Sequence, residues 1–435
     1  MTSQAPITPR DPRAHRASLG MVFLVVFIDL LGFAIVLPLL PRYAERFEAG
    51  SATIGLLFAS FSVMQFLFAP VWGRVSDRVG RRPVLLAGLA GSVFCYALFG
   101  AATVAESLAL LFVSRIGAGV CGGTIAAAQA YIADATGARD RAKGMALIGA
   151  AFGLGFTFGP ILGSISLPRA AAPGQVEALN PLPGVLAAGL SLIAFILAWR
   201  KLPESLRERR PAARHPLLNV QGLREAFRTP SVGMLIILFF LSTYAFAQFE
   251  ATLSRLTAQV FHLTDRSNFF VFTYLGLCLA LIQALLVRRL APRWGEARMI
   301  QAGAALTFVG LALIAVSAQS RSLALLIGMI PVTICGFSFI TPSVQGLVSR
   351  RSNPARQGEI LGVNQSAAAM ARILGPFFGN VLFGADARLV YVVSAAIIVP
   401  VIVMGVLCTD SGQDWPARSG AFPLAPVLDD EAERA

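Results

Sequence analysis

The stretch GRVSDRVGRR, residues 73–82, places five charged residues and two glycines between two long apolar runs. The chain around it has 435 residues, of which 56% are hydrophobic and only 14% are charged. A soluble domain normally carries about 25% charged residues, so this composition indicates a membrane protein. The charged stretch is then expected to be a turn in water that joins two helices crossing the bilayer.

Apolar runs that can cross a bilayer, at about 20 residues each, recur along the whole chain. The first run is long enough to remain as a spanning helix rather than act as a cleaved secretory signal. The sequence therefore predicts an all-α membrane protein with twelve transmembrane helices. The runs lie near residues 18–40, 52–73, 83–104, 107–132, 145–168, 182–200, 231–256, 267–288, 299–318, 323–348, 361–384 and 389–408.

The basic residues indicate the orientation, because short loops rich in Lys and Arg stay in the cytoplasm. With both termini inside, 27 of the 36 Lys and Arg residues fall in the tails and inner loops, against six in the outer loops. This asymmetry accounts for the net charge of +13 without a nucleic-acid partner. We expect a multi-pass protein of the cell inner (plasma) membrane, whose partner is the lipid bilayer.

A basic, proline-containing segment, RKLPESLRERRPAARHPLLNVQGLREAFRTP at residues 200–230, is the only long inner connection. It divides the predicted helices into six and six, the pattern of transporters in which two bundles rock about a central site. The predicted units are a cytoplasmic N-tail (1–17), an N-terminal six-helix bundle (18–200), a cytoplasmic interdomain loop (201–230), a C-terminal six-helix bundle (231–408) and a flexible cytoplasmic C-tail (409–435).

The charged turn is also a candidate cytoplasmic latch. Asp77 can accept hydrogen bonds from the N-terminal amides of a neighbouring helix and pair with arginines, in a contact that breaks when the bundles separate. The glycines permit tight helix ends. The alternative is that these charges only fix topology. The latch residues are Gly73, Asp77, Arg78, Gly80, Arg81 and Arg82.

Three further stretches accompany this turn, which continues as GRVSDRVGRRPVLL. They are DLLGFAIVLPLLP in helix one, RIGAGVCGGTIAAAQAYIADAT in helix four and GLGFTFGPILGS in helix five. In this order the four stretches resemble the major facilitator superfamily, and most closely its twelve-helix drug:proton antiporter branch, which includes the tetracycline exporters. The resemblance implies the two-bundle fold, alternating access, and a proton gradient as the driving force with no cofactor.

The helix-five stretch carries the pattern that resembles the antiporter motif. Its glycines form a small-residue stripe against which another helix can pack backbone to backbone, and its proline tends to kink the helix. The resemblance implies that this contact seals the two bundles on one side, whereas the alternative is a purely structural packing stripe. The motif residues are Gly153, Gly155, Gly159, Pro160 and Gly163.

Two acids and two arginines fall inside predicted spanning helices, where a charge needs water, a partner or a proton. Asp29 and Arg115 have nearly matching depths, so they could pair, or Arg115 could tune the protonation of Asp29. The alternative is a static buried pair. Glu250 and Arg372 form a second candidate pair, although Glu250 could instead reach the outer interface. We assign Asp29, Arg115 and Glu250 to proton coupling.

Polar side chains on the spanning helices, flanked by phenylalanines, have the mixture expected of a pocket for a drug-sized molecule. The candidate cavity residues are Gln65, Gln129, Tyr131, Tyr244, Gln248, Gln283, Gln345, Asn364, Gln365 and Arg372.

The chain departs from the tetracycline exporters where those proteins carry further membrane acids and a histidine. The matching positions here are Cys95, Thr307 and Leu279, so tetracycline itself is weakly supported as a substrate. The five cysteines have no CxxC spacing and are interpreted as small hydrophobic residues. No histidine lies in a predicted helix, so we expect neither a metal site nor catalytic residues.

These features favour a proton-coupled secondary active transporter that exports a small drug-like or amphipathic compound. The alternative is proton-coupled uptake or symport of a small metabolite or organic anion, which the two arginines suit. An enzyme is disfavoured because the helices hold no nucleophile with a base and no paired carboxylates at helical spacing. ATP-driven pumping is disfavoured because the sequence lacks a GxxxxGK[ST] phosphate cradle. A transport-inactive receptor or scaffold remains a third interpretation.

The expected partners are a small-molecule substrate and protons, and the expected state is a monomer.

Overall fold

The computed structural model describes residues 12–136, 141–167, 179–206, 227, 230–352 and 357–411. Most of the predicted N-tail, nearly all of the predicted C-tail and most of the predicted interdomain loop lie outside these residues. The described residues are helical and include no strand. Their helices are α1 (Pro12–Val36), α2 (Leu40–Arg46), α3 (Ser51–Val79), α4 (Arg81–Val104), α5 (Leu108–Gly122), α6 (Ile125–Ala135), α7 (Arg141–Ser166), α8 (Leu182–Lys201), α9 (Pro230–Gln259), α10 (Asp265–Leu281), a π-helical segment (Ile282–Val287), α11 (Arg288–Ser320), α12 (Leu323–Arg351), α13 (Gln357–Ala385) and α14 (Leu389–Ser411).

Ten helical segments in the described part of the chain are long and apolar enough to cross a membrane. One of them, Asp265–Ser320, has 56 residues and contains Gly295 with φ 74° and ψ 161°. A residue other than glycine rarely adopts such a φ, and the helical geometry stops there. Each of the two pieces on either side of Gly295 is long enough for one crossing.

Prolines and glycines interrupt two further spans. α1 ends at Val36, and α2 begins at Leu40 with Pro41 in its first turn, where a missing amide hydrogen does no harm. Pro38 lies between the two helices, where the regular helical hydrogen bonds are interrupted. Its carbonyl is therefore free to accept hydrogen bonds from other helices. α5 and α6 are separated at Gly123, where an added Cβ would lie 3.0 Å from the backbone nitrogen of Ala69. Close packing against α3 thus coincides with the break.

The apolar core divides along the chain. One cluster of buried residues contains only side chains between Val232 and Val401, and a second contains only side chains between Val22 and Leu202. A third cluster belongs mainly to the earlier residues but includes Ala251 and Phe269 from the later ones. We call the described residues up to 206 the first half and those from 230 the second half.

The most extensive contacts between the halves are made by two helix pairs, α3 with α13 and α7 with α10, and α2 also contacts α9. Glycines bring these helices together. A Cβ on Gly55 of α3 would lie 2.8 Å from the backbone of Phe377 in α13, and a Cβ on Gly276 of α10 would overlap the backbone around Phe156 in α7. Contacts this close leave no room for any side chain between the halves at these points.

The antiporter motif lies on α7 and contacts mainly α1. A Cβ on Gly155 would lie 2.9 Å from the Cβ of Leu30, and one on Gly159 would lie 2.6 Å from the Cβ of Ala34. Gly163 instead abuts the ring of Phe269 in the second half. The motif therefore serves chiefly as a packing stripe within the first half, and its Gly163 end reaches the partner half.

Candidate functional site

A cavity of about 880 Å³ lies between the halves. Four charged side chains line it: Asp29 of α1, Arg115 of α5, Glu250 of α9 and Arg372 of α13. All four were singled out from the sequence, and the fold brings them to one space although they come from four helices. A volume of this size is within the range that holds a drug-sized molecule.

Asp29 and Arg115 face the same cavity without forming an ion pair between them, in the part of the chain that the structure describes. One carboxylate oxygen of Asp29 is buried with no hydrogen-bond partner there, and Ser92 is the polar side chain within reach of the carboxylate. Of the two arrangements that the sequence allows, the direct pair is therefore not formed in this conformation.

Arg115 is held by aromatic rings instead. Its guanidinium carbon lies 4.5 Å from the ring centroid of Phe61 and 5.6 Å from that of Phe33, distances at which a cation is attracted to the face of a ring. The residue is only 2% exposed, and its Nε has no hydrogen-bond partner among the described residues. The positive charge is thus fixed in place but not neutralised.

Glu250 and Arg372 face each other from the second half. They are near enough to interact electrostatically, yet no pair of their nitrogen and oxygen atoms comes within the 4.0 Å of an ion pair in the described structure. Glu250 is half-buried, while the Arg372 side chain is exposed to the cavity. Glu250 therefore lies at the cavity and not at the outer interface.

Three of the nine uncharged side chains predicted for the cavity line it: Gln65, Gln129 and Gln365. Gln65 donates a hydrogen bond from Nε2 to the backbone oxygen of Gly122, at 3.3 Å, across the α3–α5 contact. Each of the three glutamines presents an amide that can both donate and accept, which is suitable for orienting a ligand.

The other six predicted residues do not line this cavity. The hydroxyl of Tyr131 donates to the backbone oxygen of Pro203 at 2.9 Å, and Gln248 accepts a hydrogen bond from Ser394 at 2.5 Å on the far side of α9. The remaining four also lie away from the cavity, because each is on a face of its helix that is not turned toward it. They are Tyr244, which stacks on Phe240, Gln283, which is exposed on the π-helical segment, Gln345, which is half-buried on α12, and Asn364, which is fully buried.

Several lining residues were not predicted. Ser92 and Tyr96, one turn apart on α4, face Asp29, and Ser62 precedes Gln65 by one turn of α3. The spacing of Ser62 to Gln65 is a signal that could have found Ser62, because side chains three or four positions apart share a helix face. No predicted cavity residue lies on α4, so no such spacing points to Ser92 or Tyr96.

The charged turn joins two helices of the first half. Arg81 bonds to Asp77 at 2.6 Å and to Asp134 at 2.9 Å, and its Nη1 donates to the hydroxyl of Ser76 at 2.6 Å. Gly80 has φ 118° and ψ 157°, which favours glycine and allows α4 to begin directly after α3 ends.

Glu204, which sequence reasoning missed, caps α4. Its carboxylate oxygens accept from the backbone amides of Arg81, at 2.9 Å, and Arg82, at 3.2 Å. The predicted pairing of Asp77 with an arginine is present, with Arg81 one turn away, whereas the amides at the start of α4 are bonded by Glu204. Among the described residues, the partners named here all belong to the first half.

A polar network joins the halves at the other end of the molecule. α3 runs 29 residues from Ser51 to Val79, or about 43 Å at 1.5 Å per residue, so α2 and the charged turn lie at opposite ends. We call them the α2 end and the charged-turn end.

Arg42 of α2 is the centre of this network. Its Nη1 contacts Asp265 Oδ1 at 2.6 Å, with both side chains 7% exposed, and also donates to the backbone oxygen of Leu263 at 3.0 Å. Nη2 donates to Thr257 Oγ1 at 3.2 Å and Nε to Ser254 Oγ at 3.3 Å. One arginine from the first half thus makes four contacts with the second.

A second arginine makes the reciprocal connection. Arg255 of α9 forms an ion pair with Glu45 of α2 and donates to Ser51 Oγ at 3.1 Å. Gln259 Nε2 donates to the same Glu45 oxygen at 2.8 Å. Between pairs of described residues, the side-chain hydrogen bonds and ion pairs that cross from one half to the other all lie at the α2 end.

The cavity therefore has one sealed end. It extends along α3 to Pro70 and along α6 to Gln129, both exposed and both toward the charged-turn end. The α2 end is closed by the buried network around Arg42 and Arg255. Among the described residues, the exposed lining of the cavity therefore lies toward the charged-turn end.

Comparison with known proteins agrees with this architecture. The sequence model of the Major Facilitator Superfamily matches residues 22–376. The class E tetracycline resistance protein of Escherichia coli is 31% identical over 374 residues, covering 84% of this chain and 87% of that protein. The resemblance inferred from the motifs is thus confirmed.

Two solved structures are similar over nearly their whole length. The crystal structure of the human organic anion transporter MFSD10 (TETRAN) is 27% identical, with a TM-score of 0.66, and covers 90% of this chain and 99% of that one. A bacterial homologue of the human lysosomal transporter Spinster, solved inward-facing and unoccupied, has a TM-score of 0.75 at 13% identity over 94% of this chain and 100% of its own. The latter likeness concerns the fold alone. Matched by the family model over most of its length, the chain belongs to the major facilitator superfamily.

Proposed function

We propose that this chain is a proton-coupled secondary active transporter that exports a small drug-like or amphipathic compound by alternating access. The observation that carries the proposal is the cavity between the two halves. Its acid Asp29 has no ion-pair partner among the described residues, and contacts between the halves seal the cavity at the α2 end. A site of this kind can open to the other side when the network at the α2 end separates.

The topology that we propose has twelve crossings in two six-helix bundles, residues 18–200 and 231–408, with both termini in the cytoplasm. Support comes from the ten apolar spans, from the break at Gly295 that divides the longest of them, and from α7, a further helix of 26 residues. The basic charged-turn end then faces the cytoplasm, and the cavity opens inward. The expected site is the inner (plasma) membrane and the expected unit a monomer.

Proton coupling is assigned to Asp29, Arg115 and Glu250. A carboxylate in a cavity without an ion-pair partner is stable when protonated and becomes stable as an anion when water or a cationic group reaches it. Arg115, held by two aromatic rings, is a cationic group that lines the same cavity. The proton gradient alone would drive the cycle, with no cofactor, metal or catalytic residue.

A second candidate is transport of an organic anion. Arg115 and Arg372 both line the cavity without an ion-pair partner within the described residues, so the cavity offers two positive charges to a ligand. The solved human relative named as an organic anion transporter adds weight to this reading. Its direction could be uptake or export.

Transport in inside-out vesicles separates these functions. The vesicles carry the purified protein in their membrane and have an acidic lumen. The probes are ethidium, a lipophilic cation, and carboxyfluorescein, an anion. A proton-coupled exporter accumulates its probe and makes the lumen more alkaline. Uptake by symport would release preloaded probe together with protons, and accumulation of carboxyfluorescein but not ethidium would favour the organic anion.

A further inference from the structure

Two of the cysteines lie together in the wall between α4 and α5. Cys95 of α4 and Cys121 of α5 are both free, and the sulfur of each packs against the opposite helix at the glycine one turn before the other cysteine. They are 26 positions apart in a sequence with no CxxC spacing, so only the antiparallel packing of the two helices brings them together.

Glycines on the facing helices make the space for the two thiols. A Cβ on Gly117 of α5 would collide with the sulfur of Cys95, and a Cβ on Gly91 of α4 would collide with the sulfur of Cys121. Each glycine precedes the cysteine of its own helix by four residues, which is about one turn. Each sulfur therefore occupies the notch left by the opposite glycine, and the two sulfurs meet diagonally.

The thiol pair lies directly behind the cavity surface. Ser92 on α4 and Gly122 on α5 line the cavity, and Cys121 is half-buried beside Gly122. Asp29 and Arg115 both interact electrostatically with Cys95. The pair is thus separated from the cavity only by the wall that contains Ser92 and Gly122, beside the residues assigned to proton coupling.

We propose that Cys95 and Cys121 form a dithiol site that binds trivalent arsenicals from the cavity. Soft thiolate and thiol ligands prefer soft ions, and two sulfurs held in contact can chelate one arsenic atom. With phenylarsine oxide, two As–S bonds form while the As–O bond breaks, and the oxygen leaves as water with the two thiol protons. Arsenic remains trivalent, so the step needs no oxidant or reductant.

Chelation would also link α4 to α5 beside Asp29. The ligand site itself does not depend on the proposed transport function, because it is assessed by retention of the arsenical on the purified protein. A transporter that exports nothing could still bind phenylarsine oxide, and a transporter without this site could still export.

The test uses the full-length protein in detergent, treated with phenylarsine oxide and washed with either a monothiol, 2-mercaptoethanol, or a dithiol, 2,3-dimercaptopropanol. Bound arsenic is counted by intact mass. We expect one arsenical per chain that survives the monothiol wash and is removed by the dithiol. Retention should fall at least tenfold in Cys95→Ser and in Cys121→Ser, and stay at the wild-type level in the matched control Cys335→Ser.

Cys95→Ala and Cys121→Ala serve the same purpose if a serine variant does not give folded protein, as judged by gel filtration. Retention of the arsenical after the monothiol wash in both single alanine variants would overturn the proposal. So would a wild-type protein that loses all arsenic in that wash, because a chelating dithiol resists it.

Discussion

Arg42 and Asp265 form a buried ion pair of 2.6 Å that joins α2 of the first half to α10 of the second. Both side chains belong to a part of the molecule that must separate if the α2 end is to open. Arg42 also donates hydrogen bonds to Leu263, Thr257 and Ser254, and such additional bonding is the condition under which a buried ion pair stabilises a conformation. It therefore distinguishes the closed α2 end from an open one.

Removing one partner of this pair should favour opening. Asp265→Asn leaves the Arg42 charge buried without its counter-ion, at a cost of about 3–5 kcal/mol to the closed state. We expect Ala251→Cys, a position beside the network that also lines the cavity, to react at least tenfold faster with a membrane-impermeant maleimide applied from the α2 side when Asp265→Asn is also present.

Asp386→Asn is the matched control. Asp386 and Arg388 also form an ion pair of 2.6 Å, but it is exposed and lies within the second half. An exposed pair contributes little because water screens its charges, so labelling at position 251 should stay at the background rate. Equal labelling in the two variants would contradict a gating role for Arg42 and Asp265.

Replacing Asp29 by Asn should separate binding from proton movement. The amide is similar in size but cannot release a proton near neutral pH, so we expect substrate-dependent proton flux in proteoliposomes to disappear while binding of the transported probe is kept within about threefold. Glu106→Gln, an exposed acid in the turn between α4 and α5, is the control and should leave the flux unchanged. Normal flux in Asp29→Asn would rule out the assigned role.

Two glycines of the antiporter motif should differ sharply. Gly159→Ala places a Cβ 2.6 Å from the Cβ of Ala34, whereas nothing lies within 4 Å of a Cβ at Gly153. Overpacking costs about 1–3 kcal/mol, so Gly159→Ala should lower the melting temperature and the transport rate. Gly153→Ala should leave both unchanged or slightly raised, since alanine favours the helix. Identical behaviour of the two variants would show that α1 and α7 are not packed through this stripe.

Glu204 should stabilise the start of α4. In Glu204→Gln one of the two carboxylate oxygens is replaced by an NH₂ group, which cannot accept the hydrogen bond from the backbone amide of Arg82. Loss of such a cap costs about 0.5–2 kcal/mol of stability. Thermal unfolding of the purified protein, compared with Glu106→Gln, measures this effect. A melting temperature unchanged relative to that control would mean that water replaces the carboxylate at no cost.

Much of the helical framework follows from the sequence, because apolar length and positive-charge asymmetry are properties of single segments. The four charged cavity residues were found for a related reason: a charge within an apolar run is costly wherever the helix packs. The rotation of each helix is not encoded so directly, and Tyr131 and Gln248 consequently point away from the cavity.

Long-range polar pairs were the least predictable feature. Arg42 and Asp265 are 223 positions apart, and each lies near a helix end where charges are common, so neither attracts notice alone. The same applies to Glu204, which follows α8 yet caps α4. Local pattern cannot assign such partners, because their pairing depends on how whole helices are arranged.

The sealed α2 end also determines where the membrane voltage acts. Water in a cavity open at the charged-turn end conducts ions, so the electric field does not fall evenly across the bilayer but concentrates over the short plug formed by Arg42, Arg255 and their partners. Each elementary charge that crosses the full potential gains or loses about 2.3 kcal/mol per 100 mV. Opening the plug and closing the charged-turn end would transfer that field to the charged-turn end, and a proton on Asp29 would change its electrical potential without moving far.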